Sequence, residues 1–299
     1  MGADGLIAMP HLFCFGLGYS AQALARHLLK QGWTVSGTVR NADKAGPRDK
    51  RIKALAFDGS GPGEEVRSAL KQATHILVSA PPGEAGDPVL ACHGADIAAQ
   101  AGHLKWIGYL STVGVYGNQG GVWVDEETPP APVNERGRRR LAAELDWAAL
   151  GAKAGIPVAV FRLAGIYGPG RSPFEKLKRG EARRIVKPGQ IFNRIHVNDI
   201  AAVLAASIAR PPETFRVYNV CDDEPAPPQD LTAFAAKLLG VPPPPEEPFE
   251  TAELSPMAKS FYADNKRCRN ARIKTELGVE LAFPDYRAGL TALYETGGY

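Results

Sequence analysis

The stretch Phe13–Ala25, FCFGLGYSAQALA, decides the fold. The apolar run that ends at Phe15 reads as a strand, and AQALARHLLKQG, closed by Gly32, reads as an amphipathic helix. Between them Gly16, Gly18 and Ala21 stand in the spacing G-x-G-x-x-A. Each has a physical task in that setting. Gly16 permits a tight turn, Gly18 lets the backbone approach a pyrophosphate, and Ala21 allows the helix to pack closely on the strand. The helix N-terminus then offers free amides and the positive end of its dipole. Glycines that merely turn the chain would read the same way, but the strand-turn-helix context favours a dinucleotide site.

Outward from this stretch, short apolar runs alternate with helical patterns. TVSGTVR, IKALAFD, HILVSAPP, LKWIGYLST and PVAVFRLAG read as further strands, with helices over EEVRSALKQA, from about Pro88 to Ala101, and from about Glu135 to Ala152. That rhythm predicts an α/β fold, a Rossmann-type doubly wound parallel sheet with a smaller C-terminal substrate lobe. Residues 1–165 form the expected NAD(P)-binding domain, with 195–221 (NDIAAVLAASIA and RVYNVC) returning to the sheet. Residues 166–194 and 222–299, including the proline loop VPPPPEEP, form the expected substrate lobe.

Composition narrows the class of partner. The chain has 299 residues, 44% hydrophobic, 22% charged, with a net charge of +3, so no whole-chain field drives it to nucleic acid or a membrane surface. A small-molecule partner is expected; the oligomeric state stays open, with a homodimer one option. Cys14, Cys92, Cys221 and Cys268 show no metal-site spacing and read as buried thiols, so no metal is expected. MGADGLIAMPHLFCFGLG lacks a basic leader region, Leu6 breaks the acylation pattern, and no apolar run reaches membrane-spanning length. A cytoplasmic location follows by elimination.

The end of the second strand bears on cofactor choice. An NAD site usually places Asp or Glu there, about 20 residues after the glycines, to hold the ribose hydroxyls. Here the residues are GTVR. Arg40 with Thr38 suits a 2′-phosphate, because guanidinium binds phosphate bidentately. NADP is therefore favoured, with NAD the alternative. Asp58, closing the third strand, could accept from the adenine amino group or simply cap a turn. Ala80 and Pro81, ending the fourth strand, would lie along the cofactor by topology.

With GLGYSA, YLSTVGVYG, RGRRRLAAE, RLAGIYGPGR, RIHVNDIA, YNVCDDEP and NARIKTELG in order along nearly the whole chain, the sequence resembles the extended short-chain dehydrogenase/reductase family, which includes nucleotide-sugar epimerases and dehydratases. The resemblance extends the cofactor set to Tyr19, Ser20, Ser111, Arg140 and Leu163. It makes Thr112 the hydroxyl that holds the substrate oxygen. The family's catalytic tyrosine and its partner lysine would align with Arg136 and Arg140, so the chain is most similar to atypical subgroups that lack the Tyr-x-x-x-Lys pair.

Arginine stays charged far above neutral pH, so it cannot cycle a proton as the tyrosine does. Arg140 could still bond the ribose, and Arg136 an acidic group, since those tasks need only donors and fixed charge. Tyr116 and Tyr167, beyond the fifth and sixth strands, are substitute acids or packing residues. Arg171, Arg183, Arg184 and Arg194 could bind an anionic substrate, whereas Arg138 and Arg139 suit a solvated helix face. His196 and Asp199 suggest a relay, but a structural histidine and a helix cap explain them as well. Two functions remain in view: an NAD(P)-dependent oxidoreductase or epimerase-like enzyme with a non-standard active site, and a non-catalytic NADP-binding sensor.

Overall fold

The computed structural model describes residues 9–41 and 49–298. The expectations drawn from the residues before Met9, on a leader region and on Leu6, lie outside the described residues. Seven strands form the central parallel sheet: β1 (His11–Phe15), β2 (Thr34–Val39), β3 (Lys53–Ala56), β4 (His75–Val78), β5 (Trp106–Thr112), β7 (Val158–Leu163) and β11 (Phe215–Val220), in the order β11-β7-β5-β4-β1-β2-β3. All four residues of β4 and all six of β7 are buried, as strands covered on both faces require. The strand order reverses between β2 and β4, on either side of β1. Gly16 therefore stands at the topological switch point, where this architecture binds ligands.

The helices follow from local chemistry as well as pattern. Helix α1 (Tyr19–Leu29) buries Ala21, Leu24, Ala25 and Leu28 on one face. After α2 (Glu64–Leu70), α3 (Pro88–Ala98) begins with a proline at its first turn and an Asp87 cap that accepts from Val89 N at 2.8 Å. The other Asp87 oxygen accepts from Trp147 Nε1 at 3.0 Å, tying that cap to α4 (Glu135–Ala154). Helix α4 opens with Asn134 Oδ1 accepting from Gly137 N at 2.8 Å.

The chain divides into two compact units. The first comprises Met1–Leu110, Ala142–Val160 and Leu204–Arg216, and holds the sheet through β4 with most of β5. The second comprises Ser111–Leu141, Phe161–Val203 and Val217–Tyr299. This partition differs from the expected one, because the C-terminal ends of β5, β7 and β11 group with the lobe rather than with the rest of their strands.

Short parallel ladders organise the second unit: β6 (Trp123–Val124) with β13 (Arg267–Cys268), β8 (Gly165–Tyr167) with β10 (Arg194–His196), and β9 (Arg184–Val186) with β12 (Glu246–Pro248). Two- and three-residue strands carry no readable alternation, so periodicity did not announce them. Its helices are the start of α4, α5 (Pro173–Lys178), the start of α6 (Val197–Ala209), α7 (Pro228–Leu239), α8 (Pro256–Tyr262), α9 (Ala271–Thr275) and α10 (Tyr286–Glu295). Tyr167, Phe174, Ala235, Tyr286 and Leu290 form its main apolar cluster. All four cysteines are free; Cys92 is half-buried and the others buried. Among the described residues no helix is long and apolar enough to cross a membrane, and no group of three or more His, Cys, Asp or Glu could hold a metal.

Candidate cofactor and active site

In the first unit, the turn after β1 is locked from both neighbouring strands. Gly16 has φ +91°, and a Cβ there would sit 2.9 Å from Ser79 Oγ and 3.2 Å from Ala80 N. Its N–H donates to Thr38 Oγ1 at 2.9 Å, and its carbonyl accepts from Ser79 Oγ at 2.6 Å. Ser79 N and Ala80 N both donate to Phe15 O. Conformation and crowding each demand glycine at position 16.

Gly18 differs in kind. Its φ is −79°, and a Cβ there would meet nothing nearer than Ser79 Oγ at 3.9 Å. The protein itself does not need glycine at this position. What a side chain would fill is the space before the N-terminus of α1, where Gly18 is the N-cap, no side chain caps the helix, and the first turn carries no acid. Helix-end amides and a positive dipole end in an uncrowded space fit a pyrophosphate. Ala21 is fully buried, as close packing of α1 requires.

Thr38 needs a correction. Its hydroxyl is not offered to a phosphate; the side chain is buried and its oxygen takes the Gly16 N–H. Arg40, exposed at the end of β2, is left as the phosphate candidate. Asp58 is exposed, and its Oδ1 accepts from Ser60 Oγ at 2.7 Å and Ser60 N at 2.9 Å, bonds that hold the carboxyl below its usual range. The turn-capping role is thus real, and the second oxygen lies outside these bonds. Tyr19 and Ala80 are half-buried, Ser20 is buried, and Pro81 is exposed. Sequence reasoning missed Ser79 and Gly37. A Cβ on Gly37 would lie 2.5 Å from Cys14 O and 2.9 Å from Leu17 Cγ, and a glycine inside a strand is the signal for such close approach.

In the second unit, Thr112 caps the single turn Val113–Tyr116, its Oγ1 accepting from Gly114 N at 3.1 Å. A Cβ on Gly137 would lie 3.3 Å from Gly114 O, so the first turn of α4 presses against this turn. The predicted substrate hydroxyl and the arginine helix are thereby brought together. Arg136 is exposed and Arg140 half-buried. Arg138 and Arg139 pair with Glu135, the solvated-face role expected of them. Ser111 and Leu163, at the ends of β5 and β7, are buried.

Tyr116 points elsewhere, and its role as an acid is corrected. It is fully buried, its hydroxyl donates to Asn219 Oδ1 at 2.8 Å, and the Arg162 guanidinium lies 4.8 Å over its ring. Burial pushes its pKa up to about 12 against the opposing pull of Arg162. Tyr167 is likewise buried, donates to Asp285 O at 3.2 Å, and is pushed upward by burial and then by nearby carboxylates.

The remaining arginines do not converge. Arg183 binds Glu247 and Glu253 O, and Arg184 binds Glu246 and Pro244 O, which fastens the β9–β12 ladder. Arg194 is buried and donates to the carbonyls of Phe192, Ala226 and Pro227. Arg171 is exposed. His196 packs 4.0 Å from the Phe283 ring, centre to centre, and accepts from Asn198 N at 3.2 Å; burial lowers its pKa to about 4. Asp199, expected as a cap of its own helix, instead accepts from Ala282 N and Phe283 N at 2.9 and 3.0 Å. Both residues are structural. Asp222, which sequence reading passed over, is buried, and burial pushes its pKa up to about 8 against the opposing pull of Arg194 and of a backbone hydrogen bond from Glu224.

A parallel sheet carrying a locked glycine turn at its switch point defines an α/β protein of the Rossmann type. Residues 95–221 match the model of the NAD dependent epimerase/dehydratase family. The chain is 52% identical to a functionally unknown conserved protein from Silicibacter pomeroyi, whose structure superposes with a TM-score of 0.87 over 97% of this chain and 99% of that one. It is 27% identical, over 97% of each chain, to 3-diazoavenalumate denitrifying reductase from Streptomyces sp.. The fold also matches MoeE5 in complex with UDP-glucuronic acid and NAD, at 20% identity and a TM-score of 0.76 over 96% of this chain and 98% of that one.

Proposed function

We propose that the protein is an NAD(P)-binding oxidoreductase or epimerase-like enzyme that favours NADP and acts on a small polar substrate, anionic or nucleotide-sugar-like, without the usual Tyr/Lys proton transfer. The observation that carries this reading is Gly18, a residue the fold does not require as glycine, which leaves the N-terminus of α1 uncrowded. Arg40, exposed at the end of β2, supports NADP. The reductase from Streptomyces supports an enzyme, and the UDP-glucuronic acid bound by MoeE5, a protein of similar fold, supports an anionic or nucleotide-sugar-like substrate. Four free thiols suit the cytoplasm.

The bound cofactor supplies hydride transfer. The chain's part is to hold and polarise. Thr112 accepts from Gly114 N, which leaves its own hydroxyl proton to donate to a substrate oxygen. Arg136 and Arg140 supply fixed charge where the family has its tyrosine and lysine; they orient an acidic group or the ribose and exchange no proton. The burial of Tyr116 favours a second reading, a non-catalytic NADP-binding sensor, because it removes one candidate acid.

Titration with NADPH and NADH, followed by fluorescence, then a screen of carbonyl and sugar-nucleotide substrates for loss of absorbance, separates the readings. Tighter NADPH binding, weakened by Arg40→Ala, with turnover of an acidic substrate is expected. Tight NADPH binding with no substrate consumed favours the sensor, and tighter NADH binding removes the role given to Arg40.

A further inference from the structure

Helix α3 carries a buried histidine that none of these roles uses. His93 is fully buried, its ring centre 5.8 Å from that of Phe15 and 5.3 Å from that of Phe57. Phe15 immediately precedes Gly16, and Phe57 immediately precedes Asp58. One ring thus packs under both the glycine turn and the loop that follows β3.

Its two nitrogens have opposite partners. Nδ1 lies 2.9 Å from Asp96 Oδ2, while Gly63 N donates to Nε2 at 3.4 Å. A carboxylate can only accept, so it draws the ring proton to Nδ1 and leaves Nε2 as the acceptor that the Gly63 N–H needs. Asp96 is fixed in turn by Arg67 Nε of α2, at 3.1 Å. The same loop touches α3 twice more: a Cβ on Gly59, at φ +87°, would lie 2.9 Å from Pro88 Cβ, and Cys92 Sγ donates to Gly59 O at 3.6 Å. Residues 58–63 therefore rest along the first half of α3, and the Asp96–His93 pair is their polar anchor.

We infer that His93 is a positioning residue for the adenosine end of the cofactor: oriented by Asp96, it sets the loop Asp58–Gly63 and with it the Asp58 carboxylate. This rests on the cofactor reading above, in which Asp58 meets the adenine amino group. An acceptor at Nε2 matters here, and apolar bulk does not replace it. In Asp96→Asn the one carbonyl oxygen is claimed by the Arg67 Nε donor, so the NH2 faces Nδ1 and donates to it, which moves the ring proton to Nε2 and turns it against the Gly63 N–H.

ADP-ribose affinity and melting temperature of the full chain test this. His93→Leu and Asp96→Asn are each expected to weaken ADP-ribose about tenfold, the scale of one lost buried hydrogen bond. His93→Gln, whose amide oxygen can accept near the place of Nε2, is expected to recover most of that loss even if it melts lower than the leucine variant. A packing role predicts the reverse order. Leucine binding as well as glutamine, or Asp96→Asn binding as tightly as the unaltered chain, overturns the inference. Asp96 is only half-buried, so its variant decides the matter if the leucine chain fails to fold. An unaltered chain that binds neither NADPH nor ADP-ribose removes instead the cofactor reading beneath it.

Discussion

The turn after β1 and the turn after β5 both follow buried strands of one sheet, yet they spend their polar groups in opposite ways. After β1, the side chains of Ser79 and Thr38 hold the Gly16 backbone, and Gly18 keeps the helix amides beyond it uncrowded. After β5, the phenol of Tyr116 is consumed by Asn219 and its ring is covered by Arg162. Function follows what a turn leaves unspent. A tyrosine at a strand end is a candidate acid only if its proton is accessible, and that of Tyr116 is not.

The sharpest way to break this comparison is to put the same methyl group at its two glycines. Gly16→Ala forces a side chain into positive φ and against Ser79, so NADPH binding should fall by about 100-fold and stability by roughly 1–3 kcal/mol. Gly18→Ala should melt within about 0.5 kcal/mol of the parent, because the site is uncrowded, yet bind NADPH on the order of tenfold more weakly. Titration and thermal melting of the pair check both. An alanine at 18 that costs no affinity would show that nothing binds there.

The second unit offers an effect of similar size on stability alone. Asp222 has its folded pKa raised to about 8 from an ordinary 3.8, so the folded chain holds this proton more tightly than the unfolded one. Stability from this group is therefore greatest at acid pH and is lost as pH rises from about 4 to about 8, by up to roughly 1.4 kcal/mol per pH unit. Asp222→Asn should flatten that slope and make the protein a few kcal/mol more stable than the parent at pH 8. The charge that opposes this shift is Arg194, whose own donors are bound to three carbonyls. Urea unfolding from pH 5 to 8 checks this; parallel curves for the two chains would refute it.

The smallest expected effect sharpens the contrast most directly. Tyr116→Phe removes the bond to Asn219 and should cost about 1 kcal/mol, with NADPH affinity and any turnover unchanged. A selective loss of turnover in a chain that melts normally would restore Tyr116 as an acid.

Legibility in the sequence followed the distance to the deciding partner. Gly16, Gly18 and Ala21 were readable because turn, helix start and close packing are set within a few consecutive residues. Gly37 and Ser79 were not assigned, since their reason lies on neighbouring strands. The ladder β6–β13 and the buried polar residues Asn193, Asn219 and Lys266 left no periodic trace. Lys266 Nζ, for example, donates to Gly117 O from a position 149 residues away. Arg183, Arg184 and Arg194 read as a cluster only because they are near in sequence; folding sent each to different partners.

By itself, then, the sequence determined the sheet, the glycine turn at its switch point and the arginines at 136 and 140, because strand period, helix caps and backbone freedom are local properties. Only the tertiary structure decided which polar groups are spent. It took Thr38 for the turn, Tyr116 for Asn219 and Asp199 for the amides of Ala282 and Phe283, and it left the place of a Gly18 side chain open, with Ser79 Oγ the nearest atom at 3.9 Å. The physical reason is that a buried donor or acceptor must find a partner, and the crossovers of the chain choose which one is within reach.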